Sequence, residues 1–566
     1  MRKKHKGKKV VLAGWAHNIR VFGNKAFVDL RDRYGLVQLV LDKRFKNIYL
    51  GLTRESVLVA SGKVRVKKEQ NPKLETGEVE VEVDTLALVS KAKPLPFEIF
   101  NPDVDTTEET RLKYRYLDLR RAEMLRMLEF RFKAEMVVRE YFSLKNFVEV
   151  ETPLLSRPTP EGARDFLVPT RNKGLFWALP QSPQQYKQLL MVAGLDKYFQ
   201  IVRCFRDEDL RKDRQYEFTQ VDVEMSFVTE EDIMKVTEGM ISVLYSQMLG
   251  IKLGKPFPRL AWREAMDTYG SDKPDTRFDL KLEDYTEDFR GSGFLVFERE
   301  IEKGGVVKAV MVPELLSRSE IESFERIAKR GDFPGLLWVK SSKELSGPLA
   351  NRLPEKLQKK LVRKNGVFFF LAGPWQKVCT TLGNIRLAAA EKLGLRKGLS
   401  VLWVTDFPLF EWSETEGRIQ AMHHPFTSPK KGYESEINPD TPIERLLEIP
   451  SRAYDLVING VEVGGGSIRI TDSSLQERMF GVLGISEEEA REKFGMLLRA
   501  FDYGVPPHGG IAIGFDRLLQ VMLGKRSLRD VIAFPKSKSG RALMEGAPAR
   551  PDEEALKELG IKVEKD

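Results

Sequence analysis

Residues 217–227, EFTQVDVEMSF, have the alternation of a strand with one polar face directed into a site. Side chains of a strand point alternately to opposite sides, which gives an apolar face and a polar face. The apolar face consists of Thr219, Val221, Val223, Met225 and Phe227, and the polar face of Phe218, Gln220, Asp222, Glu224 and Ser226. A solvated face rarely combines a ring, an amide and two carboxylates. The pattern therefore predicts a polar ligand on this face.

The stretch YDLVINGVEVGGGSIRI contains an Asn-Gly pair, a strong signal for a two-residue hairpin turn. The register that follows pairs Val457 with Glu462 and Asp455 with Gly464. Asp455 and Glu462 then become diagonal neighbours on one face, close enough to bind a common Mg²⁺. A charged pair on a solvated hairpin is the alternative.

The stretch HGGIAIGFDRLLQVMLG is typical of an apolar strand running into a helix, with Arg517 in the first helical turn. A helix amino terminus with an arginine suits an anion such as a phosphate, although GxDR alone is a weak signal.

The elements that position these residues belong to a long globular chain of 566 residues, 42% hydrophobic and 31% charged, enough for three or more domains. Cys204 and Cys379 are the only cysteines, which makes a disulfide framework or a cysteine metal site implausible and fits a reducing cytosol. No segment has the pattern of a signal peptide or a membrane span, so a cytoplasmic protein without membrane contact is expected.

Residues 1–70 hold 18 Lys and Arg against 5 Asp and Glu, whereas the whole chain has a net charge of only +9. The same region has five short β-rich segments separated by turn signals. A basic five-stranded barrel is typical of an OB-fold that binds single-stranded nucleic acid, with Phe27 as a stacking platform and Gln38 as a base-edge reader. A solvated basic face and a core position for Phe27 are the alternatives. The segment AKPLPFEIFNPDVDTTEETR then has the composition of a hinge, and a strongly helical stretch follows from about Leu112.

Taken together, these segments resemble the class II aminoacyl-tRNA synthetases, and among them the bacterial-type aspartyl enzymes, along nearly the whole chain. The stretches similar to the three class motifs are FVEVETPLL, RCFRDEDLRKDRQYEFTQVDVE and GIAIGFDRLLQVML. Those similar to the aspartyl enzymes in particular are TPEGARDF, ALPQSPQQYKQLL, AMHHPFTSP and EVGGGSIRI.

The resemblance implies an α+β multidomain protein: an OB-fold barrel that reads the anticodon, a catalytic domain on a six-stranded antiparallel sheet, an inserted α+β domain, and a homodimer with the first motif in its interface. The expected boundaries are 1–95 for the OB-fold, 96–122 for the hinge, 123–280 and 405–566 for the two catalytic parts with a carboxy-terminal extension, and 281–404 for the insertion. We interpret the insertion as a structural unit facing tRNA or the partner subunit.

For ATP, the resemblance implies that Arg206 holds the α-phosphate and the substrate carboxylate, and that Phe218 and Arg517 enclose the adenine. Arg206 and Arg517 are the catalytic candidates, since positive charge and positioning carry phosphoryl chemistry. Asp455 and Glu462 resemble Mg²⁺ ligands. The remaining ATP-binding candidates are Asp207, Glu208, Gln215, Gly514, Phe515 and Asp516.

For L-aspartate, the resemblance implies that Asp222 and Gln184 take the α-ammonium and that Glu161 lies in a loop that closes over the substrate. Lys187, Arg469 and His423 resemble the groups around the substrate side chain. Two buried cations left unpaired by a neutral amide would explain rejection of asparagine. The roles of His424, Glu224 and Ser226 stay open.

The predicted function is therefore an ATP-dependent aspartate–tRNA ligase that forms aspartyl-adenylate and esterifies the 3′ end of aspartate tRNA. A related ligase for asparagine or lysine is one alternative, against which Lys187, Arg469 and the insertion argue. A catalytically inactive tRNA-binding paralogue is the other, against which Arg206, Asp455, Glu462 and Arg517 argue. The residue types do not decide whether asparagine tRNA, whose anticodon differs at one base, is charged as well.

Overall fold

The structure is a computed structural model that describes residues 1–72, 75–100, 106–158 and 162–564. The chain forms two compact units, residues 1–128 with 542–547 and residues 129–541 with 548–566. Within the described residues, no helix is long and apolar enough to cross a membrane.

The first unit contains a closed barrel of five strands in the order β1-β2-β3-β5-β4. Its strands are β1 (Lys9–Phe22), β2 (Lys25–Asp32), β3 (Gly35–Leu41), β4 (Val57–Val66) and β5 (Val79–Ser90), with α1 (Lys46–Tyr49) between β3 and β4. Only the β3–β5 pair is parallel. Alternate residues such as Ala26, Val28 and Leu30 fill the barrel, because strand side chains alternate across the sheet. The predicted OB-fold barrel is confirmed.

The predicted hinge contains helices. They are α2 (Glu108–Lys113) and α3 (Arg115–Asp118), and α4 (Ala122–Leu144) follows. Asp118 is fully buried, and its carboxylate binds Arg111, Arg115 and Arg121 at 2.6 to 3.2 Å. Burial raises the pKa of Asp118, but these arginines outweigh it and hold the pKa below its usual value. At least residues 108–118 are therefore ordered by buried ion pairs, which a hinge composition did not indicate.

The next part of the chain builds one half of the main sheet. Its strands are β6 (Val148–Glu149), β7 (Leu167–Pro169), β8 (Phe176–Ala178), β9 (Lys197–Phe205), β10 (Glu217–Ser226) and β11 (Arg259–Ala261). Its helices are α5 (Gln184–Val192), α6 (Glu230–Leu249) and α7 (Trp262–Tyr269). Helix α6 begins with a reciprocal capping box between Thr229 and Asp232, which satisfies amide groups of its first turn.

The inserted domain is a second sheet, antiparallel throughout, in the order β12-β13-β16-β14-β15. Its strands are β12 (Leu282–Asp284), β13 (Val306–Val312), β14 (Leu337–Ser341), β15 (Leu345–Ser346) and β16 (Gly366–Gly373). Its helices are α8 (Thr286–Phe289), α9 (Leu295–Glu302), α10 (Arg318–Arg330), α11 (Glu355–Leu361) and α12 (Trp375–Lys392). Successive residues of β16 enter two separate cores, which explains its continuous apolar run.

The chain then completes the main sheet. The strands in this part are β17 (Val401–Thr405), β18 (Phe410–Ser413), β19 (Arg418–Ala421), β20 (Ala453–Ile458), β21 (Val461–Ile468) and β22 (His508–Gly514). β18 and β19 form a separate two-stranded sheet, as do β7 and β8. The helices are α13 (Ile443–Leu446), α14 (Ser473–Val482), α15 (Glu487–Phe501), α16 (Phe515–Met522) and α17 (Glu553–Leu559).

The main sheet has eight strands in the order β11-β17-β20-β21-β22-β10-β9-β6. The six from β17 to β9 are mutually antiparallel, as expected, and a short parallel strand, β11 or β6, extends each edge. The boundary expected at residue 404 falls inside β17, which pairs with β20 of this sheet. Residues 401–404 are therefore part of the main sheet.

Candidate active site

A cavity of about 380 Å³ opens over β10, β21 and β22, a volume typical of a small-molecule site. It brings together most of the candidate residues, although they come from distant parts of the chain. Those in its lining are Gln184, Lys187, Arg206, Glu208, Gln215, Phe218, Asp222, His423, Asp455, Glu462, Arg469, Gly514, Asp516 and Arg517. Glu161 lies outside the described residues.

The polar face of β10 supplies the floor of this cavity. The strand pairs with β9 on one side and β22 on the other, so its side chains are enclosed by the sheet and its covering helices. Phe218, Gln220 and Asp222 line the cavity, as the alternation predicts. Phe227 was placed wrongly on the apolar face: it follows the strand with a positive φ of 56° and is 77% exposed.

At the floor lies a buried network of two cations and two carboxylates, of which all but Glu224 line the cavity. Nζ of Lys187 is 2.9 Å from Oδ1 of Asp222 and 3.5 Å from Oε2 of Glu224. Arg469 binds both oxygens of Glu224, with distances of 3.0 and 3.1 Å from Nε and Nη2. The two cations are thus already paired by carboxylates of the protein, so a neutral amide in the cavity would not leave them unpaired as expected. Burial at this depth requires such pairing.

Glu224, to which the sequence assigned no role, is the centre of this network. Gly510 stands opposite Glu224 in β22, and a Cβ at that position would lie 2.0 Å from the Glu224 carboxylate. A glycine is therefore required for the carboxylate to fit. Burial raises the pKa of Glu224, but Arg469 and Lys187 outweigh it, so the pKa is lowered. The alternation of β10 signalled a polar Glu224, but only the cross-strand glycine explains its depth.

Two histidines flank the network, His424 half-buried and His508 buried. His424 contacts Arg469 Nη1, and its Nδ1 accepts a hydrogen bond from the backbone N–H of Phe426 at 3.2 Å. Burial, followed by the charge of Arg469, lowers the pKa of His424 well below 6.5, so this ring is neutral. His508, which the sequence did not single out, lies 3.2 Å from Gln188 Oε1 and also has a lowered pKa because of burial.

Four buried polar atoms of cavity residues lack a hydrogen-bond partner among the described residues. They are Nε2 of Gln184, Nε of Arg206, Oδ2 of Asp222 and Nδ1 of His423. An unsatisfied buried polar group is costly, and native proteins keep few of them. One acceptor and two donor groups in one cavity suit a zwitterionic ligand with an ammonium group and carboxylate oxygens.

The β20–β21 hairpin carries the two candidate metal ligands. Asn459 and Gly460 both have positive φ, as a type I′ turn requires, and Val457 pairs with Glu462 as predicted. The predicted pairing of Asp455 with Gly464 is wrong, because a bulge shifts the register and places Asp455 opposite Gly465. A Cβ on Gly465 would lie 2.6 Å from the Asp455 carboxylate, so this glycine makes room for it.

Asp455 and Glu462 fit a divalent cation by their chemistry. Both carboxylates line the cavity, and among the described residues the cations within 4 Å of the Glu462 carboxylate are Lys273 and Arg517, each at 3.9 Å. Carboxylate oxygens are the donors that Mg²⁺ prefers, with the remaining ligands from water and substrate phosphates. No cluster of three or more His, Cys, Asp or Glu side chains suited to a metal occurs in the part of the chain that the structure describes.

His423 extends this acidic group. Its Nε2 is 3.3 Å from Oδ1 of Asp455, and its ring packs edge-on against Phe407. Burial lowers the pKa of His423, but the carboxylates of Asp455 and Glu462 outweigh it and raise the pKa above 6.5.

The nucleotide candidates divide into residues that face the cavity and residues engaged elsewhere. The Arg206 guanidinium lies over the Phe218 ring at 5.2 Å, a cation–π contact, and Arg517 donates to the carbonyl of Glu462 at 2.8 Å. Glu208 binds Arg214. The amide of Gln215 is engaged by the backbone of Lys536, with contacts at 2.8 and 3.3 Å.

Of three further nucleotide candidates, Phe515 and Asp516 pack or bind within the fold, and Asp207 lies outside the cavity. Phe515 is fully buried, with the guanidinium of Arg131 5.2 Å from its ring centre. Asp516 accepts the backbone N–H of Thr219 at 2.7 Å and binds Arg131, and so it ties α16 to β10. Asp207 lies outside the cavity lining, 3.6 Å from Arg164.

In the separate barrel unit, Phe27 and Gln38 lie on the outer surface. Ala26 and Val28 face the core, so Phe27 between them points outward, and the core alternative for Phe27 is excluded. Its ring is 6.0 Å from that of Phe22, which is 65% exposed. Gln38 is held by Lys67 at 3.0 Å and Glu80 at 3.2 Å.

Comparisons with known families agree with this architecture. Residues 107–538 match the family tRNA synthetases class II (D, K and N), and residues 10–89 match the OB-fold nucleic acid binding domain. The fold and the site therefore define a class II tRNA synthetase, a class whose members use ATP, an amino acid and tRNA.

Full-length relatives narrow this assignment. An aspartate–tRNA(Asp/Asn) ligase of Hydrogenobaculum sp. is 47% identical, covering 98% of this chain and 97% of the relative. The ligase of the same name from Thermotoga maritima is 47% identical, covering 100% of this chain and 98% of the relative. An aspartate–tRNA ligase of Macrococcus caseolyticus is 45% identical, covering 98% of this chain and 96% of the relative. The chain belongs to the aspartate–tRNA ligase family.

Solved structures show the same fold at low identity. Asparaginyl-tRNA synthetase of Pyrococcus horikoshii, complexed with asparaginyl-adenylate, has a TM-score of 0.60 at 19% identity over 95% of this chain and 96% of that one. Aspartyl-tRNA synthetase of Entamoeba histolytica has a TM-score of 0.56 at 18% identity, over 94% of this chain and 89% of that one.

Proposed function

We propose that this chain activates L-aspartate with ATP, forming aspartyl-adenylate and pyrophosphate, and then transfers aspartate to the 3′ end of aspartate tRNA. The observation that carries this proposal is the set of unpaired buried atoms around one cavity, beside the compensated Lys187–Arg469 network. The names of the full-length relatives support it.

The unpaired atoms fit the backbone end of the amino acid. Oδ2 of Asp222 accepts from the α-ammonium, a role that the amide oxygen of Gln184 shares, while Nε2 of Gln184 and Nε of Arg206 donate to carboxylate oxygens. At the other end, Arg469 has four of its five N–H groups engaged by Glu224, His424 and Ser467. The fifth, on Nη2, is left for the substrate β-carboxylate, whose charge an asparagine lacks.

The first step needs no general base, because the attacking carboxylate is already ionised at neutral pH. Its oxygen attacks the α-phosphate in line, and the bond from that phosphorus to the pyrophosphate oxygen breaks. Arg206 lies where it can bind both anions and the charge that spreads over the phosphate. We assign Phe218 and Arg517, which both line the cavity, to the two sides of the adenine. Asp455 and Glu462 would hold Mg²⁺, which when bound supplies a Lewis acid for the phosphate oxygens.

The barrel is the proposed anticodon reader, through Phe27 as a stacking surface and Gln38 as a base-edge contact. The relatives' names include both aspartate and asparagine tRNA, and we extend the proposal to charging of asparagine tRNA. Both cysteines are free and buried, which supports a reducing cytoplasm as the compartment.

We further propose a homodimer through the first motif. Helix α4, which leads into that motif, exposes Phe132 (62%) and Met136 (51%) one turn apart on one face and Leu144 (76%) at its end, while Ala134 and Val138 on the other side are buried. Exposed apolar side chains on one helix face mark an interaction surface. Phe132→Glu should convert a dimer into a monomer in sedimentation equilibrium, and native protein that sediments as a monomer would contradict the assembly.

The first experiment is ATP–pyrophosphate exchange with each of the twenty amino acids, followed by charging of purified aspartate and asparagine tRNAs. Exchange with aspartate alone supports the activation step, and charging of both tRNAs supports the wider specificity. Exchange with asparagine or lysine instead would favour a related ligase. No exchange, with tRNA binding retained, would favour an inactive paralogue.

A further inference from the structure

The segment from Gly270 to Leu280 links α7 to the inserted domain and contacts two structures at once. On one side it touches helix α12, and on the other it touches the turn of the β20–β21 hairpin, which carries Glu462. No site residue considered above, apart from the distant neighbour Lys273, belongs to this segment. Its contacts give the inserted domain a physical connection to the ATP site.

Helix α12 holds this segment at two places. At the first, the backbones of Gly270 and Gly383 meet so closely that a Cβ on Gly383 would lie 2.3 Å from the Gly270 carbonyl oxygen. One helical turn further on, Arg386 is 1% exposed and donates to the carbonyls of Asp275 at 2.8 Å, Phe278 at 3.1 Å and Leu280. A buried guanidinium that binds three carbonyls in one loop fixes that loop firmly.

Arg386 is a cation held without a directly bonded carboxylate among the described residues. Its guanidinium lies 4.0 Å from the ring centre of Phe278, and burial lowers its pKa to about 10. The side chain therefore stays charged at neutral pH, and its desolvation is offset by backbone oxygens and a ring face. Such an arrangement is sensitive to any change of shape, so a lysine is a poor substitute.

The middle of the segment contacts the hairpin turn directly. Arg277 binds Asp275 through Nε at 2.8 Å and Nη2 at 2.6 Å, and it reaches the Asn459 carbonyl at 3.4 Å. A Cβ on Gly460 would lie 2.7 Å from Cβ of Asp275, so turn and segment are in direct contact.

A second set of hydrogen bonds fixes the same turn from the start of β17. Thr276 and Ser400 share a hydroxyl hydrogen bond. Ser400 in turn donates its N–H to Oδ1 of Asn459 at 2.9 Å and accepts the Asn459 N–H at 2.9 Å. The turn is thus held on both sides by groups that are themselves anchored.

Glu462 follows this turn by two residues, and its carboxylate has no hydrogen bond of its own in the described structure. Only Lys273 and Arg517 approach it, at 3.9 Å. Its position is therefore set by the backbone of the hairpin. We propose that residues 270–280 are a brace through which helix α12 fixes the β20–β21 turn, and that Arg386 and Arg277 are positioning residues for Glu462. The inference rests on the proposed function.

The test measures ATP–pyrophosphate exchange of Arg386→Gln and Arg277→Gln as a function of ATP, Mg²⁺ and aspartate. A displaced Glu462 should raise the KM for ATP and the Mg²⁺ requirement by roughly ten- to a hundredfold, since small misplacements are that costly. The KM for aspartate should change less than about twofold, because most of the aspartate pocket stands on β10 and α5, and Arg469, beyond the far end of β21, is held by Glu224. Arg318→Gln, on α10 of the inserted domain with a side chain 94% exposed, is the matched control.

Thermal unfolding of each variant shows whether that variant is folded. If Arg386→Gln fails to fold, the same exchange kinetics of Arg277→Gln and Thr276→Val test the brace instead. Arg277→Lys should have a KM for ATP and a Mg²⁺ requirement between those of Arg277→Gln and the native protein. Equal rises in KM for ATP and aspartate, or variants indistinguishable from Arg318→Gln, would overturn the brace. Native protein without aspartate-dependent exchange would overturn the proposed function instead, before any variant is compared.

Discussion

Arg469 and Glu224 form a two-point ion pair, with Nε–Oε1 and Nη2–Oε2 distances of 3.0 and 3.1 Å, and neither side chain is more than 1% exposed. The pair fixes the plane of the guanidinium from behind the cavity. In the proposed function, a substrate carboxylate would meet an arginine that is already oriented, so that little entropy would be lost on binding. Selectivity for a carboxylate over an amide would then come from this orientation as well as from charge.

Replacing Glu224 tests this relationship. Glu224→Gln leaves a buried guanidinium without its counter-charge, which costs about 3 kcal/mol of stability or more. The same change frees the Arg469 plane, so the KM for aspartate in pyrophosphate exchange should rise by roughly tenfold or more, with the KM for ATP little changed. Chemical unfolding and exchange kinetics measure the two effects.

Glu217→Gln is the matched control on the same strand. Glu217 also binds two cations, Arg203 at 2.6 Å and Lys536 at 2.5 Å, but its side chain is 30% exposed. Because water compensates an exposed pair, we expect a loss of about 1 kcal/mol or less. Similar losses in both variants would show that burial of the Arg469–Glu224 pair is not what matters.

The Glu224 carboxylate also predicts a pH dependence of stability. Its pKa is lowered from 4.5: burial alone would raise it, but Arg469 and Lys187 outweigh that effect. A folded-state pKa below the unfolded value gives stability that is complete above the unfolded pKa and is lost as the pH falls through the folded pKa. The difference in unfolding free energy between the native protein and Glu224→Gln should be constant from about pH 6 to 8 and shrink below about pH 4.5. A difference that grew on acidification would contradict this sign.

Local patterns in the sequence were enough to predict much of the fold. The five barrel strands alternate with turn signals, and the Asn-Gly pair at 459–460 predicts the hairpin turn that the structure has. The bulge that places Asp455 opposite Gly465 is not predicted, because no residue type in the hairpin marks where the register shifts. The hinge composition of residues 108–118 does not predict their helices, because their many charges pair only in three dimensions.

The site residues, like the fold, could be predicted only in part from local sequence. The polar side of β10 and Arg517 were found from residue type and position, and the cavity brings them together. The role of Glu224 was missed since its partners lie 37 residues before it, at Lys187, and 245 residues after it, at Arg469. The side chains of Gln215 and Asp516 accept hydrogen bonds from backbone N–H groups of Lys536 and Thr219, which their residue types do not indicate. Long-range pairing is invisible to local spacing.

Glu462→Gln should weaken the use of Mg²⁺ in the activation step. One carboxylate ligand becomes a neutral amide, so the Mg²⁺ concentration at half-maximal exchange should rise by at least about tenfold. Calorimetry of aspartate binding without ATP should be unchanged, because the Lys187–Arg469 network does not contact Glu462. Glu477→Gln, an exposed carboxylate on α14, is the control. An unchanged Mg²⁺ response would remove Glu462 from the proposed metal site.

Phe27→Ala should separate the two halves of the reaction. The ring lies on the outside of the barrel, where a stacked base contributes about 1–3 kcal/mol. Charging of aspartate tRNA should therefore show a KM for tRNA roughly tenfold higher or more, since 1.4 kcal/mol corresponds to a factor of about ten. Aspartate-dependent pyrophosphate exchange without tRNA should stay at the native rate, because no group that contacts ATP or aspartate is altered.

Leu50→Ala, which removes a 63% exposed apolar side chain from the same barrel unit, controls for general effects on this surface. Gln38→Ala extends the test to base reading: because Lys67 and Glu80 fix the amide, its loss should change the ratio of aspartate to asparagine tRNA charging more than Phe27→Ala does. If both variants charge tRNA at the native KM while Leu50→Ala does not, the anticodon contacts lie on a different face of the barrel.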